Sequence, residues 1–115
     1  MKIIKVDTIR HANSFFKRFR GYMFQKRPKY IEVLIFDNCN SVHTFNMKFN
    51  LDILFLDAHN RVVKKVTGVP HGRFIAPVRE ASRVVEAPEG LFNMIEENEV
   101  VSFDAAFAKV SSKGF

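Results

Sequence analysis

The chain has no tryptophan, one cysteine, five glycines and four prolines among 115 residues. A single cysteine, Cys39, excludes an internal disulfide, which agrees with a reducing compartment. No apolar run approaches the ~18–20 residues needed to span a bilayer. The opening segment from Met1 to Asp7 carries charge too early to hold a signal-peptide apolar region. The expectation is a soluble, cytoplasmic protein without a membrane partner. Linkers, repeats and low-complexity stretches are also missing, so residues 1–115 read as one domain. Without tryptophan, the core falls to Val, Ile, Leu and thirteen phenylalanines, and a 47% hydrophobic fraction is ample for it.

Acidic residues are missing from one long segment. Between Thr8 and Ile31 stand seven cations (Arg10, Lys17, Arg18, Arg20, Lys26, Arg27 and Lys29) and no acid. The other residues carry eleven cations against twelve acids, so the net charge of +6 is concentrated here. Such a cluster can attract an anionic partner such as nucleic acid, a phosphorylated ligand or an acidic protein surface. The simpler reading, a solvated helix face with its flanking loop, is preferred. RNA-binding modules interleave exposed aromatics with basic residues, whereas Phe15, Phe16 and Phe19 look like the buried side of that helix.

Residues 2–6 read as an opening strand. Asn13 suits the N-cap of a short helix carrying Phe15, Phe19 and Tyr22 or Met23 on one face, with Gly21 just past its end. Ile31 to Phe36 is a strand of branched residues. Cys39, Ser41, His43, Phe45 and Met47 share one parity, so a strand there aims all five at one face and carries Phe45 and Met47 into the core. Leu51 to Leu56 is apolar except at Asp52 and reads as a strand buried on both faces. The segment 57–60 is a tight hairpin turn with Asn60 at positive φ, and Arg61 to Thr67 returns. Gly68 to Arg79 reads as a long irregular loop. Arg83 to Ala87 is a strand, Pro88 opens a second short helix with Leu91, Met94 and Ile95 on one face, and Val100 to Phe103 is a further strand. The tail from Ala105 either adds an edge strand or frays. The sum is mainly β: an antiparallel β-sandwich or partly closed barrel with two short helices.

Five segments, in order, carry a resemblance. They are Arg20 to Phe24, Cys39 to Met47, Leu51 to Asp57, Arg61 to Val63, and Val85 to Gly90. Together they are similar to the Arg-x-Gly-Leu-Met, Cys-x-Ser-x-His-Thr-Phe-x-Met, Leu-Asp-x-x-Phe-Leu-Asp and Glu-x-Pro-x-Gly motifs of the domain of unknown function 192 family. The resemblance spans nearly the whole chain and implies a compact, β-rich, sandwich-like domain. It implies no activity. Departures include Asn60 where a turn glycine is usual and Glu97-Asn98 where Gly-Asp is usual; both still suit a tight turn.

A thiolate–imidazole pair of Cys39 and His43 is disfavoured, because four residues along a strand span ~13 Å. Cys39, His43, Asp52, His59 and His71 match no recognised metal-ligand spacing, so neither metal nor cofactor is expected. Asp52 and Glu86 each interrupt an apolar strand. Buried carboxylates are rare unless paired, and they often mark sites. The structural alternative, hydrogen bonds to backbone or to Arg20, Arg73 or Arg79, is placed slightly ahead of an acid–base pair. The leading expectation is a non-enzymatic binding module for a small molecule or protein partner. Its cleft would hold Ser41, His43, Thr44, Met47, Asp52, Arg73 and Glu86. The alternatives are a small hydrolase or metal-assisted enzyme using His43, Asp52 and Glu86, and a basic-surface binder acting through residues 8–31.

Overall fold

The computed structural model describes residues 1–12, 22–105 and 110–111, the last two by backbone alone. In chain order the strands are β1 (Lys2–Val6), β2 (Thr8–His11), β3 (Glu32–Asp37), β4 (Val42–His43), β5 (Leu51–Leu56), β6 (Val62–Val69), β7 (Phe74–Ile75), β8 (Arg83–Pro88), β9 (Val101–Ala105) and β10 (Val110–Ser111). Six of them form one sheet, in the order β10-β2-β3-β8-β5-β6. β1 and β9 form a separate parallel pair, and β4 and β7 a short antiparallel ribbon.

The interior strands β3, β5 and β8 are the most apolar runs in the sequence, because both of their faces are covered. One face packs Ile9, Ile35, Leu54, Val85 and Phe92 against Val6 and Val101 of the β1–β9 pair. The other packs Leu34, Phe36, Ile53, Phe55 and Val84 against Tyr22 and against Val42 and Met47 of the ribbon segment. The sheet is therefore the middle of three layers.

The mainly β reading holds, and three finer expectations are corrected. Among the described residues the sheets are open and no barrel closes. Pairing is mixed: β2 runs parallel to both β3 and β10, and β1 to β9. Parallel neighbours need long crossovers, which the 12–31 connection supplies. Among the described residues there is no helix. The expected first helix falls mainly on residues 13–21, outside the described residues. The expected second is a run of turns, because β8 continues through Pro88 and Gly90 stands at φ 112°, far from helical values. There Ile95 donates to Phe92 O at 3.1 Å, and Met94 is 78% exposed instead of facing inward.

The segment from Cys39 to Met47 also differs from its expected parity. Only Val42 and His43 are extended strand, and their pairing with Ile75 and Phe74 turns Val42 inward. Thr44 is buried and Phe45 exposed in step with Val42, and left-handed Asn46 (φ 61°) then resets the alternation so that Met47 is buried. The loop expected over 68–79 holds the end of β6 and all of β7. At the 57–60 hairpin Asn60 takes φ 63°, and Asp57 Oδ1 accepts the His59 and Arg61 N–H groups at 2.8 and 3.0 Å. Those bonds hold the Asp57 carboxyl below its usual range. Asn98 is also left-handed, at φ 75°.

Candidate functional site

Asp52 lies on β5 with its side chain toward the β1–β9 layer. Its Oδ1 accepts the Gly68 N–H at 2.9 Å, and its Oδ2 accepts the Gly90 and Phe92 N–H groups at 2.9 and 3.2 Å. The Gly68 bond forms because β6 carries one extra residue between Val69 and Val66, opposite Leu51 and Ile53, and Gly68 enters that bulge at φ 62°. Three backbone donors from two separate loops satisfy the buried carboxylate.

Glu86 faces the opposite layer. On β8 it pairs with Leu34 on one side and Ile53 on the other, while Asp52 pairs with Ala87. That one-residue offset puts the two carboxylates on opposite faces of the sheet, where they cannot work as an acid–base pair. Glu86 is fully buried and its Oε1 has no hydrogen-bond partner among the described residues. Burial pushes its carboxyl up to about 8. Neither Arg73 nor Arg79 hydrogen-bonds to either carboxylate among the described residues.

Beside Glu86 lies a buried polar cluster that the sequence did not announce. Glu32 Oε1 accepts from the Tyr22 hydroxyl at 3.1 Å and from Arg10 Nη1 at 3.3 Å, and its Oε2 accepts from Thr8 Oγ1 at 3.1 Å. Burial, then the charges of Glu32 and Glu86, raise the Tyr22 hydroxyl well above its usual value. Arg10 therefore belongs to this cluster and to no open cationic surface. Of the other cations in that segment, Arg27 donates to Glu89 O at 3.0 Å, Lys26 and Lys29 are exposed, and Lys17, Arg18 and Arg20 lie outside the described residues.

The ribbon does bring several expected residues together. The buried Thr44 hydroxyl donates to Pro70 O at 2.6 Å and accepts the Arg73 N–H at 2.8 Å. Its backbone N–H reaches Arg73 O at 2.7 Å, and its carbonyl takes the Gly72 N–H at 3.0 Å. One threonine thus clamps the 70–73 turn onto β4. His43 stacks on Phe45 with ring centroids 5.3 Å apart and planes 21° from parallel, and it pairs across the ribbon with Phe74. Ser41 is half-buried and accepts at its carbonyl from Cys39 Sγ at 3.2 Å, and Met47 is packed inside. The Phe24 N–H donates to Asn46 O at 2.9 Å, which ties a further exposed phenylalanine to this end of the molecule.

Phe74 is 63%, Phe24 58% and Phe45 46% exposed. Segments 22–27, 42–48 and 71–75, which build this face, contain no acid and include Lys26, Arg27, Lys48 and Arg73. Sequence parity had assigned Phe45 to the core. The available signal is Asn46, a residue prone to the left-handed region, which separates the parity of Phe45 from that of Met47. The expected seven-residue cleft therefore divides in three. Ser41, His43, Thr44, Met47 and Arg73 gather at the ribbon, Asp52 fastens loops on one face, and Glu86 is sealed in the other. No helix among the described residues is long and apolar enough to cross a membrane, and no three of their His, Cys, Asp or Glu side chains cluster as metal ligands would.

Comparison with known proteins agrees with this architecture. A UPF0127 protein of Pyrococcus furiosus is 35% identical over 98 residues, covering 82% of each chain. One from Pyrococcus horikoshii is 39% identical over 92 residues, covering 76% of this chain and 78% of the relative. Two crystal structures share the fold at TM-score 0.68. One is a protein of unknown function from Novosphingobium aromaticivorans, at 20% identity over 76% of this chain and 69% of that one. The other is a putative transcription regulator from Sinorhizobium meliloti, at 19% identity over 81% and 85%. The model of the family described as Uncharacterized ACR matches residues 2–103, and the chain belongs to that family, domain of unknown function 192.

Proposed function

We propose that the domain is a non-enzymatic binding module that recognises single-stranded nucleic acid through the face formed by the ribbon and the 22–27 segment. The observation that carries this reading is the exposed aromatic group Phe24, Phe45 and Phe74, with His43 stacked on Phe45, on segments that hold cations and no acid. Aromatic faces stack bases irrespective of sequence, and cations track the backbone. Nucleic acid is disfavoured in the sequence because Phe15, Phe16 and Phe19 look buried; of the exposed aromatics, Phe45 and Phe74 stand outside the basic segment and Phe24 within it. Phe24 adds a second argument. It is a bulky residue held at φ 62°, a conformation that costs on the order of 1–3 kcal/mol and tends to mark functional surfaces.

The test is fluorescence anisotropy with labelled oligouridine RNA, a single-stranded DNA of the same length and a DNA duplex, titrated against salt. The expected outcome is binding to single strands that weakens steeply with salt. Replacing Phe45 and Phe74 by alanine together should weaken it at least tenfold, since each stacked base contributes roughly 1–3 kcal/mol. Absence of single-strand binding at low salt, or binding indifferent to both substitutions, refutes the reading.

A further inference from the structure

On the opposite side of the central sheet, where β9 stands over the ends of β2, β3 and β8, lies a second concavity of about 250 Å³. Register explains its composition. His11, Ile35 and Val85 share one row across the sheet and Asp37, Arg83 and Leu56 the next on the same face, so each row carries both polar and apolar side chains. Ile35, Leu56 and Val85 are buried there, Phe103 lines the β9 side, and His11, Asp37, Asn60 and Arg83 form the rim.

The rim is organised. Arg83 Nε donates to Asp37 Oδ1 at 2.6 Å, and Nη1 donates to Asn60 Oδ1. Two anchors fix the guanidinium plane, and three of its five N–H groups have no protein partner among the described residues. Asp37 Oδ2 lies 3.9 Å from His11 Nδ1, beyond hydrogen-bond range. A half-exposed ion pair contributes little to stability, which is little reason to hold one at the mouth of a concavity whose walls are apolar.

From this placement we infer that the pocket is a binding site for a small apolar α-amino acid. The ligand carboxylate meets the open edge of Arg83, its ammonium group meets Asp37 Oδ2, and its side chain lies between Ile35 and Phe103. Opposite charges side by side disfavour a simple anion or cation, because one rim charge would repel it, whereas a zwitterion satisfies both. The volume is below the usual ~300–1,000 Å³ of ligand pockets and suits a molecule the size of leucine. This site is separate from the ribbon face and does not depend on it.

The experiment is a titration of the full chain with L-leucine and L-phenylalanine, followed by amide NMR. The same titration uses 4-methylpentanoate, which lacks the amine, and isoamylamine, which lacks the carboxylate. Saturable shifts at Asp37, Arg83, Val85 and Phe103, with each analogue at least tenfold weaker, support the site. The isosteric Asp37→Asn variant should weaken leucine binding by a similar factor. The inference is overturned if neither amino acid gives saturable shifts up to about 10 mM, a level that still detects millimolar affinity. It also fails if an analogue matches the amino acids or the shifts map elsewhere. The analogue comparison uses only the native chain, so it decides the matter whether or not the variant folds.

Discussion

Asp52 and Glu86 are both buried carboxylates, on adjacent antiparallel strands and one residue out of register, yet their surroundings differ in kind. Asp52 meets three backbone N–H groups delivered by a β-bulge and by the loop after β8. Glu86 meets leucine and isoleucine neighbours and keeps one oxygen without a partner among the described residues. Burial by itself therefore says little about a carboxylate's role; the donors around it decide. Asp52 is a fastener, and Glu86 is a group kept neutral by its surroundings.

The comparison breaks most directly at Asp52. Asp52→Ala leaves three N–H groups unpaired, and we predict a loss of about 3–5 kcal/mol in urea denaturation. A loss below 1 kcal/mol would show that the loops do not depend on the carboxylate.

Glu86 should respond to pH with the sign of a raised carboxyl. The folded state holds its proton up to about pH 8, while the unfolded chain releases it near 4.5. Across that window the native state binds more protons, so stability is full at the acid end and falls as pH rises, by on the order of 1.4 kcal/mol per unit. Asp57 and Glu99 titrate in the opposite sense. Hydrogen bonds hold their carboxyls low, so their contribution is lost as pH falls through the lowered values. Glu86→Gln should flatten the slope between pH 5 and pH 8, and an unchanged slope would place its origin elsewhere.

Gly68 sharpens the Asp52 side. A Cβ there meets Glu89 Oε2 at 2.6 Å, but that is the tip of an exposed side chain held only by a long 3.4 Å bond from Asn50, so the cost of Gly68→Ala comes mainly from φ 62°. The predicted loss is about 1 kcal/mol by thermal or chemical unfolding. A loss as large as that of Asp52→Ala would mean that the bulge itself collapses. The smallest effect is expected at Phe74→Ser on the exposed ribbon. Stability should stay within about 0.5 kcal/mol of the parent, and a larger loss would show that Phe74 packs as core.

Strands whose residues declare their own environment were legible in the sequence. Leu51–Leu56 matches its expected limits, Arg83 starts its strand as expected, and Asn60 takes its left-handed turn. Elements defined by distant partners were not. Thr8–His11 is short and half polar, and it becomes a strand only because β3 and β10 flank it. The ribbon's parity depends on β7, thirty residues away. The pocket rim gathers His11, Asp37, Asn60 and Arg83 from four separate segments, which no local pattern records. Glu32 did leave a trace, being the first acid after the long cationic segment and sitting at the mouth of an apolar strand. The family resemblance carried the architecture but no chemistry.

The β1–β9 pair has a consequence for how the molecule comes into being. Lys2 hydrogen-bonds to Val100 and sits opposite Val101, so a whole layer waits on residues about a hundred positions apart. Chains emerge from the ribosome in order, and β1 is made about a hundred residues before its partner. Until β9 arrives, the face bearing Ile9, Ile35 and Val85 lacks the strand that covers it, so the nascent domain carries an apolar wall throughout that interval. Closing so long a loop makes assembly slow, and that interval is when this protein is most exposed to aggregation.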